Sequence, residues 1–200
     1  MIEPCVCGID EAGRGPMAGP VCAASVILNA DFDISMLDDS KKLSEKKRIS
    51  AMREICLHAT AWYIGWASAA EIDDINILNA SLLAMKRAYE GMIATFAGNE
   101  VPSHRVITDG LYTPDIQAAD CKAYPKADGN YPAVMAASIL AKTARDRMMV
   151  RYSWFYPEYG YEKHKGYPTA AHIRALKVCG PSPIQRATFH LKNEGQLDLF

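Results

Sequence analysis

Apolar and polar positions change period several times along the chain. Residues 6–10 (VCGID) are a short apolar run ending in acid, the pattern of a buried strand. Residues 19–28 (GPVCAASVIL) follow a glycine-rich turn and predict a second strand. Residues 44–58 switch to a helical period: Ser44 stands at a capping position, and Ile49, Met52, Ile55 and Cys56 recur at helical spacing. Residues 60–67 (TAWYIGWA) are rich in aromatic and β-branched side chains and predict a third strand. A long helix is predicted over 76–96, with Ile77, Leu78, Leu82, Met85, Tyr89, Met92 and Ile93 on one stripe. Residues 104–108 (HRVIT) predict a fourth strand and 120–124 a fifth, and further helices are predicted over 133–155 and 169–178, the last closed by Gly180-Pro181. Hairpin-like strands come first and strands then alternate with helices. That order predicts an α/β domain on a mixed sheet flanked by helices.

Composition narrows the class. With 200 residues, 50% hydrophobic and 22% charged, the chain can bury a core and is neither disordered nor fibrous. One domain is expected over residues 1–190, followed by a polar tail over 191–200. No apolar stretch reaches the roughly 18 residues needed to span a bilayer, so no membrane partner is expected. Met1-Ile2-Glu3-Pro4 lacks the basic start of a secretory leader, so the expected compartment is the cytoplasm. The six cysteines show no C-x-x-C spacing and are read as reduced thiols. A monomer is expected.

Net charge is −1, yet the charges are unevenly placed. Asp10, Glu11, Asp31, Asp33, Asp38 and Asp39 crowd the first part of the chain, and Lys41, Lys42, Lys46, Lys47, Arg48 and Arg53 follow at once. Folded together, such zones can hold a cation beside a polyanion. Asp10 and Glu11 end the first strand, and Asp109-Gly110 ends the fourth. If those strands are parallel neighbours, the three acids meet at one sheet edge, where α/β ligands gather. Met135, Ile139, Lys142, Asp146 and Met149 share a helix face, so Asp146 either points inward to join them or pairs at the surface with Lys142 or Arg145. Clustered carboxylates take up protons unless cations neutralise them, and oxygen-only ligands favour Mg²⁺ or Mn²⁺. Paired ions of that kind hydrolyse phosphodiesters. Glycoside hydrolysis fits less well, because adjacent acids on a strand point to opposite faces. Gly13-Arg14-Gly15 is neither a Walker loop nor a dinucleotide fingerprint, but it allows backbone to approach a sugar or phosphate. Lys163-His164-Lys165-Gly166-Tyr167-Pro168 joins cations to an aromatic ring that can stack on a base or sugar.

Seven blocks in order resemble ribonuclease HII, a family of metal-dependent nucleases with a ribonuclease H-like fold. They are GIDEAGRGPMAGPV from Gly8, DSKKLSEKKR from Asp39, INILNASLLAM from Ile75, VITDG from Val106, AASILAKTARDR from Ala136, KHKGYPT from Lys163 and GPSPIQRATF from Gly180. The departures, Met17 and Gln185 where leucine and histidine are common, are mild. The resemblance implies a five-stranded mixed sheet with a helical C-terminal region. It implies that Asp10, Glu11, Asp109 and Asp146 form the metal-binding and catalytic quartet. It assigns Gly13, Arg14 and Gly15 to sensing the 2′-hydroxyl at an RNA–DNA junction and Tyr167 to the following deoxyribose, with Lys41, Lys42 and Lys165 as phosphate contacts. The implied substrates are RNA–DNA hybrids and single ribonucleotides embedded in duplex DNA, cut on the 5′ side to leave 3′-hydroxyl and 5′-phosphate ends. The chain ends Gln196-Leu197-Asp198-Leu199-Phe200. This resembles the peptide by which bacterial proteins dock on the β sliding clamp, with Gln196 as polar anchor and Leu197, Leu199 and Phe200 as apolar contacts. Two other functions share much of this pattern: a non-catalytic nucleic-acid and clamp-binding adaptor, and a related-fold DNA nuclease or resolvase.

Overall fold

The computed structural model describes residues 6–38, 40, 42–98, 101–102 and 104–189. A five-stranded sheet runs in the order β3-β2-β1-β4-β5. Its strands are β1 (Val6–Ala12), β2 (Val21–Ile27), β3 (Ala61–Ala67), β4 (Arg105–Asp109) and β5 (Cys121–Tyr124). The first three form an antiparallel meander, while β4 and β5 run parallel to β1. The helices are α1 (Glu45–His58), α2 (Ala69–Ala94), α3 (Pro132–Phe155), α4 (Tyr161–His164) and α5 (Ala170–Cys179).

Alternation along β1 and β2 sorts the core into two layers. Cys7, Ile9, Val21 and Ala23 pack with α2 residues such as Ala84, Ala88 and Met92. Val6, Cys22, Ala24 and Val26 pack with Val134, Ala137 and Leu140 of α3 and Ile55 of α1. The side chain missing at Gly8 is a packing device. A Cβ there would lie 2.1–2.4 Å from backbone atoms of Ala133 and Val134, so α3 can cross β1 only because Gly8 is bare. A third cluster joins Met17 and Ala18 to Met149, Tyr161, Leu176 and Ile184, fastening the C-terminal helices to the segment after β1.

The observed elements differ from the expected ones at several places, of which three bear on the site. First, α2 starts at Ala69, well before residue 76, because Ser68 and Glu71 form a reciprocal capping box. Asn76 then breaks the helix at φ 67°, and its side chain accepts from the N–H groups of Leu78 and Asn79, so the expected start survives as an internal cap. Second, a 3-10 turn at Ala127–Gly129 lies between β5 and α3. Third, α4 forms a single turn before the loop carrying Tyr167. Among the described residues no helix is long and apolar enough to cross a membrane.

Candidate active site

β1 and β4 end side by side and parallel, so Asp10, Glu11 and Asp109 gather at their carboxyl ends. Gly8 pairs with Ile107, which puts Asp10 and Asp109, each two residues further on, on the same face as α3. Asp10 is only 5% exposed. Burial, reinforced by the charges of Glu11 and Asp109, holds its carboxyl well above the usual carboxylate range, although a hydrogen bond with Ser138 on α3 opposes the shift. Ser138 is itself bonded to Ser40 at 2.9 Å, so α3 and the segment before α1 both support Asp10. Burial also raises Glu11, against the nearby Arg14 guanidinium at 3.5 Å, and Asp109 adds to the rise. Asp109 accepts the backbone N–H of Ala127 at 2.7 Å.

Asp146 is buried yet paired. Its side chain is largely buried, and it is paired with Lys142 at 2.8 Å and Arg48 at 3.5 Å. Arg145 does not pair with it; that side chain turns into the protein. Asp128 follows Ala127 in the same short turn, one residue from the amide that Asp109 accepts. Sequence periodicity does not reveal Asp128, because it stands in a polar turn with no pattern of its own. Among the described residues no group of three His, Cys, Asp or Glu side chains stands ready-made around a metal position. The donor set nonetheless fits a hard divalent cation: oxygen ligands, mutual repulsion and burial that disfavours bare charge.

The Gly13-Arg14-Gly15 turn is held from below by two arginines that sequence reasoning passed over. Arg186 is 2% exposed and donates to the carbonyls of Gly13, Arg14 and Gly19 at 2.7, 3.1 and 2.8 Å. Arg145 is 1% exposed and donates to Pro20, Ala18 and Lys165 carbonyls at 2.9, 3.2 and 3.0 Å. Burial pushes both guanidinium groups down, yet the carbonyl partners keep their charges satisfied. Gly13 sits at φ 104°, and a Cβ there would meet Arg145 Nε at 2.1 Å, so residue 13 must be glycine for both reasons. Arg14 remains half-exposed.

The same scaffold brings in Tyr167. A Cβ on Gly15 would lie 3.5 Å from the Tyr167 ring, and Met17 N–H donates to the Gly166 carbonyl at 2.9 Å. Lys142 Nζ stands 5.8 Å from the centre of the Tyr167 ring, linking it to Asp146. The carbonyl of Lys165 accepts from Arg145, and its ammonium turns to the Glu162 carbonyl. Lys42 is exposed, in a segment organised by Arg48, which donates to the Ser40 and Leu43 carbonyls. Lys41, Gln196, Leu197, Leu199 and Phe200 lie outside the described residues.

Comparison with known proteins gives a consistent result. A family model described as Ribonuclease HII matches residues 7–192. "Ribonuclease HII" of Treponema denticola is 56% identical, over 94% of this chain and 99% of its own length. The crystal structure of ribonuclease H2 from Pyrococcus horikoshii OT3 superposes with a TM-score of 0.68 at 27% identity, covering 92% of this chain and 93% of that one. Ribonuclease HII of Archaeoglobus fulgidus, in a structure of its complex with PCNA, superposes with a TM-score of 0.71 at 26% identity, covering 98% and 100%.

Two stacked histidines behind Tyr167 set an acid limit on this geometry. His164 and His172 lie face to face, with centroids 4.5 Å apart. His172 is fully buried and donates from Nδ1 to the Tyr167 carbonyl at 3.0 Å, while its Nε2 has no partner. Burial, opposed by that hydrogen bond and reinforced by His164, pushes His172 down to about 4. A depressed histidine favours the folded state only while neutral. Its contribution is therefore complete above its ordinary value of about 6.5 and is lost as pH falls toward 4, a change of about 3 kcal/mol. Urea unfolding should show the stability gap between wild type and His172→Gln narrowing steadily over that interval; a gap independent of pH would contradict the assignment.

Proposed function

The chain belongs to the ribonuclease HII family and is a type 2 ribonuclease H, a hydrolase acting on the RNA strand of RNA–DNA hybrids; from this premise we propose that it is a divalent-metal-dependent endonuclease that also cuts 5′ of single ribonucleotides in duplex DNA. The observation that carries this reading is the convergence of Asp10, Glu11 and Asp109 at the carboxyl ends of the paired strands β1 and β4. When held by these carboxylates, Mg²⁺ or Mn²⁺ would supply positive charge to activate a water and to offset charge on the phosphate and leaving oxygen.

The chain's own residues do the positioning. Asp10, Glu11 and Asp109, with Asp128 from the adjoining turn, would provide the oxygen ligands. Asp146 acts through Lys142 and Arg48: it keeps the lysine near Tyr167 and the arginine on the 40–43 segment. Because the 2′-hydroxyl alone distinguishes a ribonucleotide, something must touch it directly. Gly13 and Gly15 let the backbone come close, Arg14 adds a charge, and Arg145 and Arg186 keep the turn from yielding. Tyr167 then packs on the next sugar, while Lys41, Lys42 and Lys165 stand near phosphates. Water attacks phosphorus, the bond to the upstream 3′-oxygen breaks, and 3′-hydroxyl and 5′-phosphate ends result.

A DNA duplex holding one ribonucleotide, assayed with and without Mg²⁺ beside an all-DNA control, tests the reading. Only the ribonucleotide duplex should be cut, and only with the ion. Asp10→Asn, Asp109→Asn and Asp128→Asn should each lower kcat by about a thousandfold, and Asp146→Asn much less. Cleavage of the control would favour a DNA nuclease, binding without cleavage would favour an adaptor, and near-normal rates in the first three variants would refute the ligand assignment.

The partner proposed for the tail is the β sliding clamp. The Archaeoglobus fulgidus relative is described in complex with PCNA, and the end of this chain carries the Gln196-Leu197-Asp198-Leu199-Phe200 pattern. Deleting residues 196–200 should abolish clamp binding while sparing cleavage of short free duplexes. Unchanged clamp affinity in a binding titration would refute it.

A further inference from the structure

Strand register puts one side chain in line with the carboxylates that the foregoing reading leaves unused. Asp109 of β4 pairs with Tyr124 of β5, and paired residues project from the same face. Asp10 shares that face. Asp10, Asp109 and Tyr124 therefore form a row across three adjacent strands, spaced about 4.8 Å from one strand to the next. The Gly13-Arg14-Gly15 turn leads from β1 toward β2, so that turn and the adjoining Tyr167 flank the acids on one side and Tyr124 flanks them on the other.

Tyr124 has the setting of a stacking platform. Tyr131 lies against its ring, centroids 5.9 Å apart and planes 29° from parallel, and the residue is still 39% exposed. Its carbonyl accepts the Gly110 N–H at 3.1 Å, fixing it to the strand that carries Asp109. Beside it a groove of about 510 Å³ runs between the loop at 111–113 and β5, with Tyr112, Lys122 and Tyr124 among its walls. Lys122 falls on the same face of β5 as Tyr124. Its pairing with Asp120 at 3.3 Å is exposed, and exposed pairs are weak enough to be exchanged for a phosphate. A supported aromatic ring and a cation, one strand away from acids that act on a phosphodiester, suit a nucleic-acid strand.

The geometry points to a second strand-binding subsite, in which Tyr124 stacks on a nucleotide upstream (5′) of the scissile phosphate and Lys122 meets a phosphate of the same segment. This rests on the junction-nuclease reading, where the Arg14 turn and Tyr167 take the downstream side. The upstream segment is thereby pinned on the side where the 3′-oxygen must leave.

A series of ribonucleotide-bearing duplexes with progressively longer upstream arms tests the subsite. For wild type, KM should fall as the upstream arm grows and then level off. Tyr124→Ala should lose that gain, with KM about fivefold or more above wild type on the longest arm. Tyr124→Phe, which keeps the ring, should behave as wild type. As a readout independent of turnover, 5-iodouracil placed in the upstream arm should photocrosslink to the peptide containing Tyr124. Wild-type arm-length dependence in Tyr124→Ala, or a crosslink confined to other peptides, would overturn the subsite alone. If wild type cuts none of the duplexes, the nuclease reading fails and the subsite with it.

Discussion

The constraint on which the structure depends is that a buried carboxyl group, Asp10, is set beside two others, Glu11 and Asp109. Parallel pairing of β1 with β4 sets Asp10 next to Asp109 on the α3 face, and chain continuity adds Glu11. Left bare, Asp10 and Glu11 resist ionisation. The surrounding fold supplies partial relief through Ser138, the Ala127 N–H and Arg14, which spare the acids only part of the cost. That relief needs α3 to lie tight against β1, and the tight approach needs Gly8. The site and the core are thus one packing problem: the contact that closes the sheet also delivers the hydroxyl group bonded to Asp10.

Next to this negative end the fold buries two positive groups that, among the described residues, make no direct ion pair. Arg145 and Arg186 spend their donors on six carbonyls of residues 13–20 and 165. The planar guanidinium fork suits this, because several donors leave one rigid group in fixed directions. The result is a turn whose glycines can come close to a ligand without collapsing, preorganised before any substrate arrives. The Lys165 carbonyl belongs to the same network, so the turn and the Tyr167 loop are positioned together.

Much of this could be read from the sequence, and the gaps have physical causes. Period changes located all five strands, since alternation and apolar runs are local properties. The start of α2 was missed although Ser68 and Glu71 carry a capping-box spacing, because the stronger apolar stripe begins at Ile77 and drew attention to Asn76. Asp10, Glu11 and Asp109 stood out as acids at the ends of apolar strands. Asp128 did not, since its turn is tied to Asp109, 19 positions earlier, only through the fold, by the Ala127 amide. The buried roles of Arg145 and Arg186 are not legible, because nothing local says that a guanidinium will be satisfied by carbonyls more than 100 residues away. Asp146 was open between burial and pairing, and the structure gives it both.

Cation binding offers the most direct test of the crowded carboxyls. If burial and neighbouring charge favour the protonated forms of Asp10 and Glu11, a divalent ion must displace those protons on entering. Calorimetric titration of Mn²⁺ at about pH 5.5, repeated in buffers of different ionisation enthalpy, counts the protons released. The account predicts net release in wild type and a smaller release in Asp10→Asn. Binding with no proton release at that pH, or no binding at all, would contradict it.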